Sequence, residues 1–581
     1  MEKTYTIGLD YGTLSVRAVL LDTAEGTIVS EASAFYPSGV IEGSLSTGEK
    51  LPEGMSLQDP ADYLSVLPGL MRDLFAHHQD AASRVAGIGV DFTSCTLLPV
   101  DSHLCPLSMK DEFAHHPQAW CKLWKSHSAQ PWADRINEVL SKEDPELLSL
   151  YGGSVSSEWA LPKMLETFHA DPQVWQAADS FLEAGDYVVN WLTGRSAQDP
   201  RELGPDHEIL ISSCGAGYKA LWQEPDPERI ARDLQDPSGY PSSRVLEKID
   251  PAFKNLLKTK LRHPVIPLGH KAGTLSAAAA ELLFLPEGIP TGIPTGIPVA
   301  SFMVDAHASL LGSGIEKPGE LFLILGTSGC SMICDENRIP VPGICGSVRG
   351  GILPGLYGYE AGQPSLGDLF GWFADGFLNA FLQAEADERG LGAHEILTEK
   401  ASLLKPGESG LVALDWWNGN RSTLDDSALS GLILGLTGRT RPEEIYRALL
   451  EAAAFGIRTI ADNYRSHGIS IDRILAGGSV SLKNPLFMQI LSDVLGQSIR
   501  IPQLSQASAR GAALLGARAC GLTVKKADIP EKVYQPQKEH MEIYEQLYGI
   551  YSELYGHFGK KAPALMHHLK DISARSRTGS D

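Results

Sequence analysis

Tyr5-Thr-Ile-Gly8-Leu-Asp10-Tyr-Gly12-Thr13-Leu-Ser15-Val-Arg17-Ala-Val-Leu-Leu-Asp22 is an apolar run that meets one carboxylate, turns at glycine and hydroxyl residues, and resumes as a second apolar run. A tight turn between two β-rich runs predicts a hairpin with strands over 4–10 and 15–22. Gly12 lets backbone approach a ligand closely, and Thr13 and Ser15 offer hydroxyls to phosphate oxygens. A lone Asp10 beside phosphates is tolerable only with a cation, which makes Mg²⁺ its natural partner. By itself the stretch also suits a surface hairpin with an exposed aspartate. The rest of the chain decides between the two.

A chain of 581 residues is too long for one core, so two large domains are expected. The net charge of −22 argues against a nucleic-acid partner, which needs a Lys/Arg surplus on its binding face. It also disfavours an anchor on anionic lipid. No window holds eighteen uninterrupted apolar residues, so no membrane span is expected. A strand-like run begins within four residues of Met1, leaving no room for a signal peptide. The eight cysteines lack paired CxxC spacing and read as reduced thiols of a cytoplasmic protein.

Residues 60–77 have the periodicity of an amphipathic helix. Val85–Val90 reads as a buried strand that ends in Asp91-Phe92-Thr93-Ser94-Cys95-Thr96, and polar residues at such a strand mouth commonly face a ligand. Residues 110–230 read as mainly helical, with Trp120, Trp124, Trp132, Trp159, Trp175 and Trp191 expected mostly in the core. His115, His116, Cys121 and His127 match no familiar metal-site spacing. At 286–298 the chain becomes a Pro/Gly run with Thr-Gly-Ile-Pro twice in tandem, which reads as a linker. The expected domains are therefore 1–290 and 291–565, with a polar tail over 566–581 that is expected to fray over 570–581.

Beyond the linker, Val299–Val304 reads as a strand ending at Asp305. Leu321–Leu325, Gly326-Thr327-Ser328-Gly329 and the apolar residues that follow repeat the opening pattern. Two such hairpins, one near the start of each half, suggest two related domains facing one cleft. Ile474-Leu-Ala-Gly477-Gly478-Ser479 ends a strand at bare backbone that suits a flat ring such as adenine, or a plain strand–helix connection. Asn484-Pro485 reads as a helix cap and first turn. The small residues of 507–517 suit close helix packing. Tyr544, Tyr548, Tyr551, Tyr555 and Phe558 form a helical stripe that belongs in the core.

No GxxxxGK[ST] motif and no protein-kinase signature set occurs. In order along residues 4 to about 560, these segments resemble the FGGY carbohydrate kinases. That resemblance implies an α/β fold of two ribonuclease-H-like domains, of the actin/hexokinase/Hsp70 ATPase type, flanking an active-site cleft. Asp10–Arg17 is similar to the family's first phosphate motif, 326–329 to its second, and 476–479 with Asn484 to its adenosine motif. Further segments resemble the family's ribulokinase branch: 91–101, Lys122–Lys125, 153–159, 217–222 and Glu360-Ala-Gly362-Gln363-Pro-Ser365. The resemblance implies ATP and Mg²⁺ as cofactors and a sugar substrate. Ser94, Lys219, Asp305 and Glu360 would hold the sugar, with Asp305 accepting the hydroxyl proton as a weak base of ordinary pKa near ~3.9. Gly12, Thr13, Ser15, Arg17, Gly326, Thr327, Ser328, Gln363, Gly477, Gly478, Ser479 and Asn484 would lie on the nucleotide side, and Asp10 on Mg²⁺ through water. Other pentulose or polyol substrates, a homodimer, and a non-catalytic ATP-driven binding protein of the same fold remain open at this point.

Overall fold

The computed structural model describes residues 4–195, 208–283 and 292–578. The opening stretch is a hairpin: β1 (Tyr5–Tyr11) pairs antiparallel with β2 (Ser15–Asp22), placing Asp10 opposite Arg17. β2 continues to β3 (Thr27–Phe35), and β1 runs parallel to β4 (Val85–Phe92), with Asp10 beside Asp91. The sheet is extended by β5 (Lys271–Thr274), β6 (Pro298–Ala300) and β7 (Met303–Val304), giving the order β5-β6-β4-β1-β2-β3 with β7 also on β4.

The second half repeats this plan. β8 (Glu320–Leu325) and β9 (Gly329–Asp335) form its hairpin, followed by β10 (Gly346–Arg349) and β11 (Tyr357–Gln363). β12 (Arg473–Gly477) runs parallel to β8, as β4 does to β1, and β13 (Ile499–Pro502) and β14 (Glu531–Tyr534) complete the sheet. The order is β10-β11-β9-β8-β12-β13-β14. Each sheet has its own apolar core, one around Ile7, Leu9, Val90 and Phe92, the other around Leu323, Phe370, Leu450 and Tyr464. A third core, around Leu140, Met164 and Leu246, holds the helical insertion of the first half.

The expected boundary at 290/291 does not separate the two sheets. Residues 284–291 of the Pro/Gly run lie outside the described residues, but its end turns through Gly296 (φ +78°) and enters β6, inside the first sheet. Val299 there pairs with Ile88. The chain passes from one sheet to the other only after the helix Asp305–Gly312. The frayed tail is also corrected: Ala564–Thr578 is helical. Met566 is buried there and His567 bonds Asp426 at 2.7 Å, which anchors a segment of polar composition.

The small-residue helix Ala507–Ala519 lies between the halves. A Cβ on Gly8 would stand 1.8 Å from the Ala509 carbonyl oxygen, and one on Gly89 1.8 Å from that of Ala512. These two strand glycines are therefore required by backbone-to-backbone packing. The same helix crosses Asp305–Gly312, where Gly312 meets the Ala507 carbonyl just as closely. The aromatic stripe lies on the helix Lys538–Gly556, and Tyr544, Tyr551 and Tyr555 are buried as expected.

Candidate active site

Three carboxylates gather at the ends of neighbouring strands of the first sheet. Asp10 is near the end of β1, Asp91 in register on β4, and Asp305 opens a helix directly after β7. Asp10 and Asp91 are buried, and their carboxyls meet; burial pushes both upward, Asp91 well above the usual range. Ionised, neither Asp91 oxygen finds a donor. Arg17, at 3.2 Å from Asp10, supplies one partly exposed positive charge. Two adjoining acids, one of them with both oxygens orphaned, and a single cation fit a divalent ion that keeps much of its water. Among the described residues no three acidic, His or Cys side chains enclose such an ion by themselves.

Asp305 departs from its expected chemistry. Its carboxyl is pushed up to about 7, first by burial and then by Asp10 and Glu360, while the Ala306 N–H (2.7 Å) and Lys219 pull the other way. A carboxyl with that proton affinity has the chemistry of a base near neutral pH, unlike an ordinary aspartate.

Across the cleft, Glu360 projects from β11. Burial opposes its charge, but Lys219 Nζ at 3.6 Å and His307 Nε2 at 3.3 Å more than offset this and hold it well below the usual carboxylate range. Lys219 ends the helix Ser213–Lys219, and its charge is favoured by Glu360 despite burial. Its ammonium lies over the rings of Tyr218 and Trp159, with Nζ 5.6 and 6.0 Å from their centroids. Thus α-helical and β residues from opposite halves form one charged pair. Ser94 lies at the mouth of β4, followed by Cys95 at φ +56°, whose carbonyl accepts from the buried Lys163 ammonium at 2.5 Å.

The two phosphate-type turns follow β1 and β8. In the first, Gly12 N–H donates to the Ser15 carbonyl at 2.9 Å, and Trp124 Nε1–H donates to the Thr13 hydroxyl at 3.1 Å. Thr13 thereby keeps its own hydrogen free to donate. In the second, Gly326 N–H bonds the Ser328 carbonyl at 3.0 Å and Thr327 is exposed. Gly477 ends β12, paired with Ile324 of the parallel β8, and Gly478 follows, so this turn and 326–329 lie at the same end of neighbouring strands. Gly478 has φ +90°, and a Cβ there would meet the Leu325 carbonyl oxygen at 2.5 Å; only glycine fits. Ser479 is exposed and opens a short helix.

Two residues expected on the nucleotide side have buried side chains bonded within the protein. Gln363 is buried, its amide donating to Asp415 (2.7 Å) and the Ala453 carbonyl (3.0 Å). Asn484 is buried as the cap of Pro485–Leu495, accepting from Phe487 N–H at 2.9 Å. The partners of both side chains belong to the second half of the chain, and the Gln363 side-chain carbonyl oxygen is buried without a hydrogen bond. Sequence reasoning gave no role to His307, Glu158 or Arg421, and marked Asp91 only as part of a polar strand mouth. His307 had a signal, since it lies two residues after Asp305; its ring is fully buried, its pKa lowered first by burial, and it bridges Cys214 Sγ (3.3 Å) and Glu360. Nothing local marks Arg421, and Glu158 stood out only within the segment 153–159; their meeting depends on the two halves docking.

Residues 5–204 match the N-terminal domain of the FGGY family of carbohydrate kinases, and 321–520 match its C-terminal domain. The chain belongs to this family. It is a carbohydrate kinase. It is 41% identical to a ribulokinase of Halalkalibacterium halodurans over 99% of this chain and 98% of that one. It is 39% identical to a ribulokinase of Geobacillus thermodenitrificans, covering 100% and 99%. Among solved structures, a xylulose kinase from Rhodospirillum rubrum aligns with TM-score 0.73 and 23% identity, covering 97% of this chain and 100% of that one. Plasmodium falciparum glycerol kinase with ADP aligns with TM-score 0.69 and 16% identity, covering 95% and 98%. These likenesses establish the two-domain actin/hexokinase-type fold of this FGGY kinase. Among its described residues no helix is long and apolar enough to cross a membrane.

Proposed function

We propose that this FGGY kinase transfers the γ-phosphoryl group of ATP to the 5-hydroxyl of ribulose, L-ribulose foremost, as a cytoplasmic step of L-arabinose use. D-ribulose and related pentuloses and pentitols are expected as secondary substrates. The chemistry rests on one observation: a carboxyl pushed up to about 7, Asp305, shares a cleft with the Lys219–Glu360 pair. The choice of ribulose rests on full-length relatives of about 40% identity that carry the name ribulokinase.

In this reading Lys219 donates to, and Glu360 accepts from, neighbouring sugar hydroxyls, with Ser94 adding a third contact. Asp305 orients the reacting hydroxyl and takes its proton as the oxygen attacks phosphorus in line. The transition state is loose and its charge sits on the phosphoryl oxygens, so preorganised donors matter most. Thr13, Thr327 and Ser328 provide those donors. Gly477 and Gly478 leave bare backbone for the adenine. Asp10, backed by Asp91, would hold Mg²⁺, which when bound neutralises phosphate charge. Closure of the two halves over bound substrates would exclude water from the transfer.

The test is an ATP-consumption screen over the ketopentoses and pentitols, with the phosphate position of the product read by NMR. Turnover on ribulose with a 5-phosphate product is expected. Absence of turnover on every five-carbon sugar overturns the reading, and turnover on xylulose without ribulose moves it to a different pentulose.

A further inference from the structure

A second charged pair bridges the cleft beside Lys219 and Glu360. Glu158 Oε1, just ahead of the helix Ala160–Ala170, lies 3.6 Å from Arg421 Nη2. Glu158 comes from the first half, and Arg421 from the loop beyond the strand Val412–Leu414 of the second. Residues two apart on a strand face the same way, so Gly362 shares a face of β11 with Glu360. A Cβ at Gly362 would lie 3.7 Å from Arg421 Cδ and 3.8 Å from its Nη1. The arginine side chain therefore lies within van der Waals reach of that position, on the face of β11 that carries Glu360, while the Gly329 carbonyl oxygen, 2.8 Å from such a Cβ, is what keeps residue 362 a glycine.

Electrostatics tie the four groups together. Burial opposes the Arg421 charge, but Glu158 first, then Cys345 and Glu360, more than offset it. Arg421 in turn contributes to holding Glu360 ionised. The Arg421 side chain is 40% exposed and that of Glu158 15% exposed, so the pair opens into the cleft and is not sealed in a core.

Each cation of the proposed sugar pocket is thus matched by a carboxylate: Lys219 by Glu360, Arg421 by Glu158. Asp305 adds further negative character. A polyol can bind such a pocket without disturbing either pair. A sugar acid would bring its carboxylate against Glu158 and Glu360 and find no cation free to receive it, and unmatched charge in a cleft is costly. Freed from Glu158, a guanidinium is well suited to grip a carboxylate through two parallel hydrogen bonds.

We infer that Glu158 is a specificity-determining residue: by holding Arg421 across the cleft it sets this pocket for uncharged sugars and excludes aldonates. The inference rests on the sugar-kinase site proposed above. Its test uses the full-length enzyme and ribonate, measured by calorimetric binding and as an inhibitor of ribulose phosphorylation. Glu158→Gln should bind ribonate about tenfold more tightly or better, the gain of one charge-assisted contact, while KM for ribulose shifts only a few-fold. Glu158→Asp, which shortens the arm toward Arg421, should gain less in the same direction. Glu158→Gln combined with Arg421→Gln should lose the gain, which a merely structural role for Glu158 does not predict.

No gain for ribonate in either single variant overturns the inference. So does a change confined to KM for ATP, which would put the guanidinium on the nucleotide side. Failure of the wild-type enzyme to use ribulose strikes the proposed function alone, because ribonate binding by calorimetry still reads the Glu158 effect.

Discussion

Replacing Asp305 by asparagine should raise stability while abolishing most turnover, and the two effects come from the same burial. The folded carboxyl is shifted from 3.8 to about 7, a little over three units. At about 1.36 kcal/mol per unit, the ionised form is disfavoured in the fold by roughly 4 kcal/mol at most. The residue opens onto the cleft, where solvent screens part of this, so roughly 2 kcal/mol is the expected gain in Asp305→Asn. The sign follows from linkage: a carboxyl with a raised folded pKa binds its proton more tightly in the fold, so stability falls as pH rises from about 4 to about 7. The asparagine advantage is therefore absent below about pH 4 and full above about 7. Thermal unfolding at pH 5 and pH 8 reads it, with the melting temperature of the variant ahead by more at pH 8. Turnover should drop by roughly 10²- to 10⁴-fold, the usual worth of a positioned base. In the parent enzyme, kcat/KM for the sugar should climb with pH and level off above about 7. Near-normal turnover in the variant, or a flat pH profile between 5 and 8, refutes the assignment of Asp305 as the base.

Lys219→Met leaves Glu360 facing the cleft without its strongest partner. KM for the sugar should rise by roughly one to two orders of magnitude, with about 3 kcal/mol lost in stability from the unpaired carboxylate. Steady-state kinetics that show an effect on KM for ATP alone contradict the placement of Lys219 on the sugar. Gly89→Ala drives a methyl into the Ala512 carbonyl, 1.8 Å from the new Cβ, and should cost roughly 3 kcal/mol or more by displacing the helix Ala507–Ala519. An unchanged melting temperature in that variant means that the close approach of this helix to β1 and β4 is not required.

The hairpins, the Gly-Gly turn and the Asn484-Pro485 cap were legible along the chain, because turn and cap chemistry is local. So was the repeat of the first pattern at 320–334, which foretold two similar sheets. Other readings failed where a distant segment decided. The Pro/Gly run looked like a domain boundary, but its last residues gain ladder partners on Ile88 and so belong to the first sheet. The polar tail is helical because Met566 and His567 find partners more than a hundred residues back. The partners of the Gln363 amide, Asp415 and the Ala453 carbonyl, likewise lie at least fifty residues away, where no local pattern points to them.

Sequence by itself determined that two strand–turn–strand units end in glycine and hydroxyl residues, that acids stand at Asp10, Asp91 and Asp305, and that the set resembles a sugar-kinase family. Those features are written in neighbouring residues. Tertiary structure alone decided what the acids do. Asp305 sits near 7 because burial, Asp10 and Glu360 act on it together, and Glu360 stays charged because Lys219 and His307 come from two other parts of the chain. Proton affinity depends on distance through space and on shielding from water. Neither quantity exists until the two halves are folded against one another.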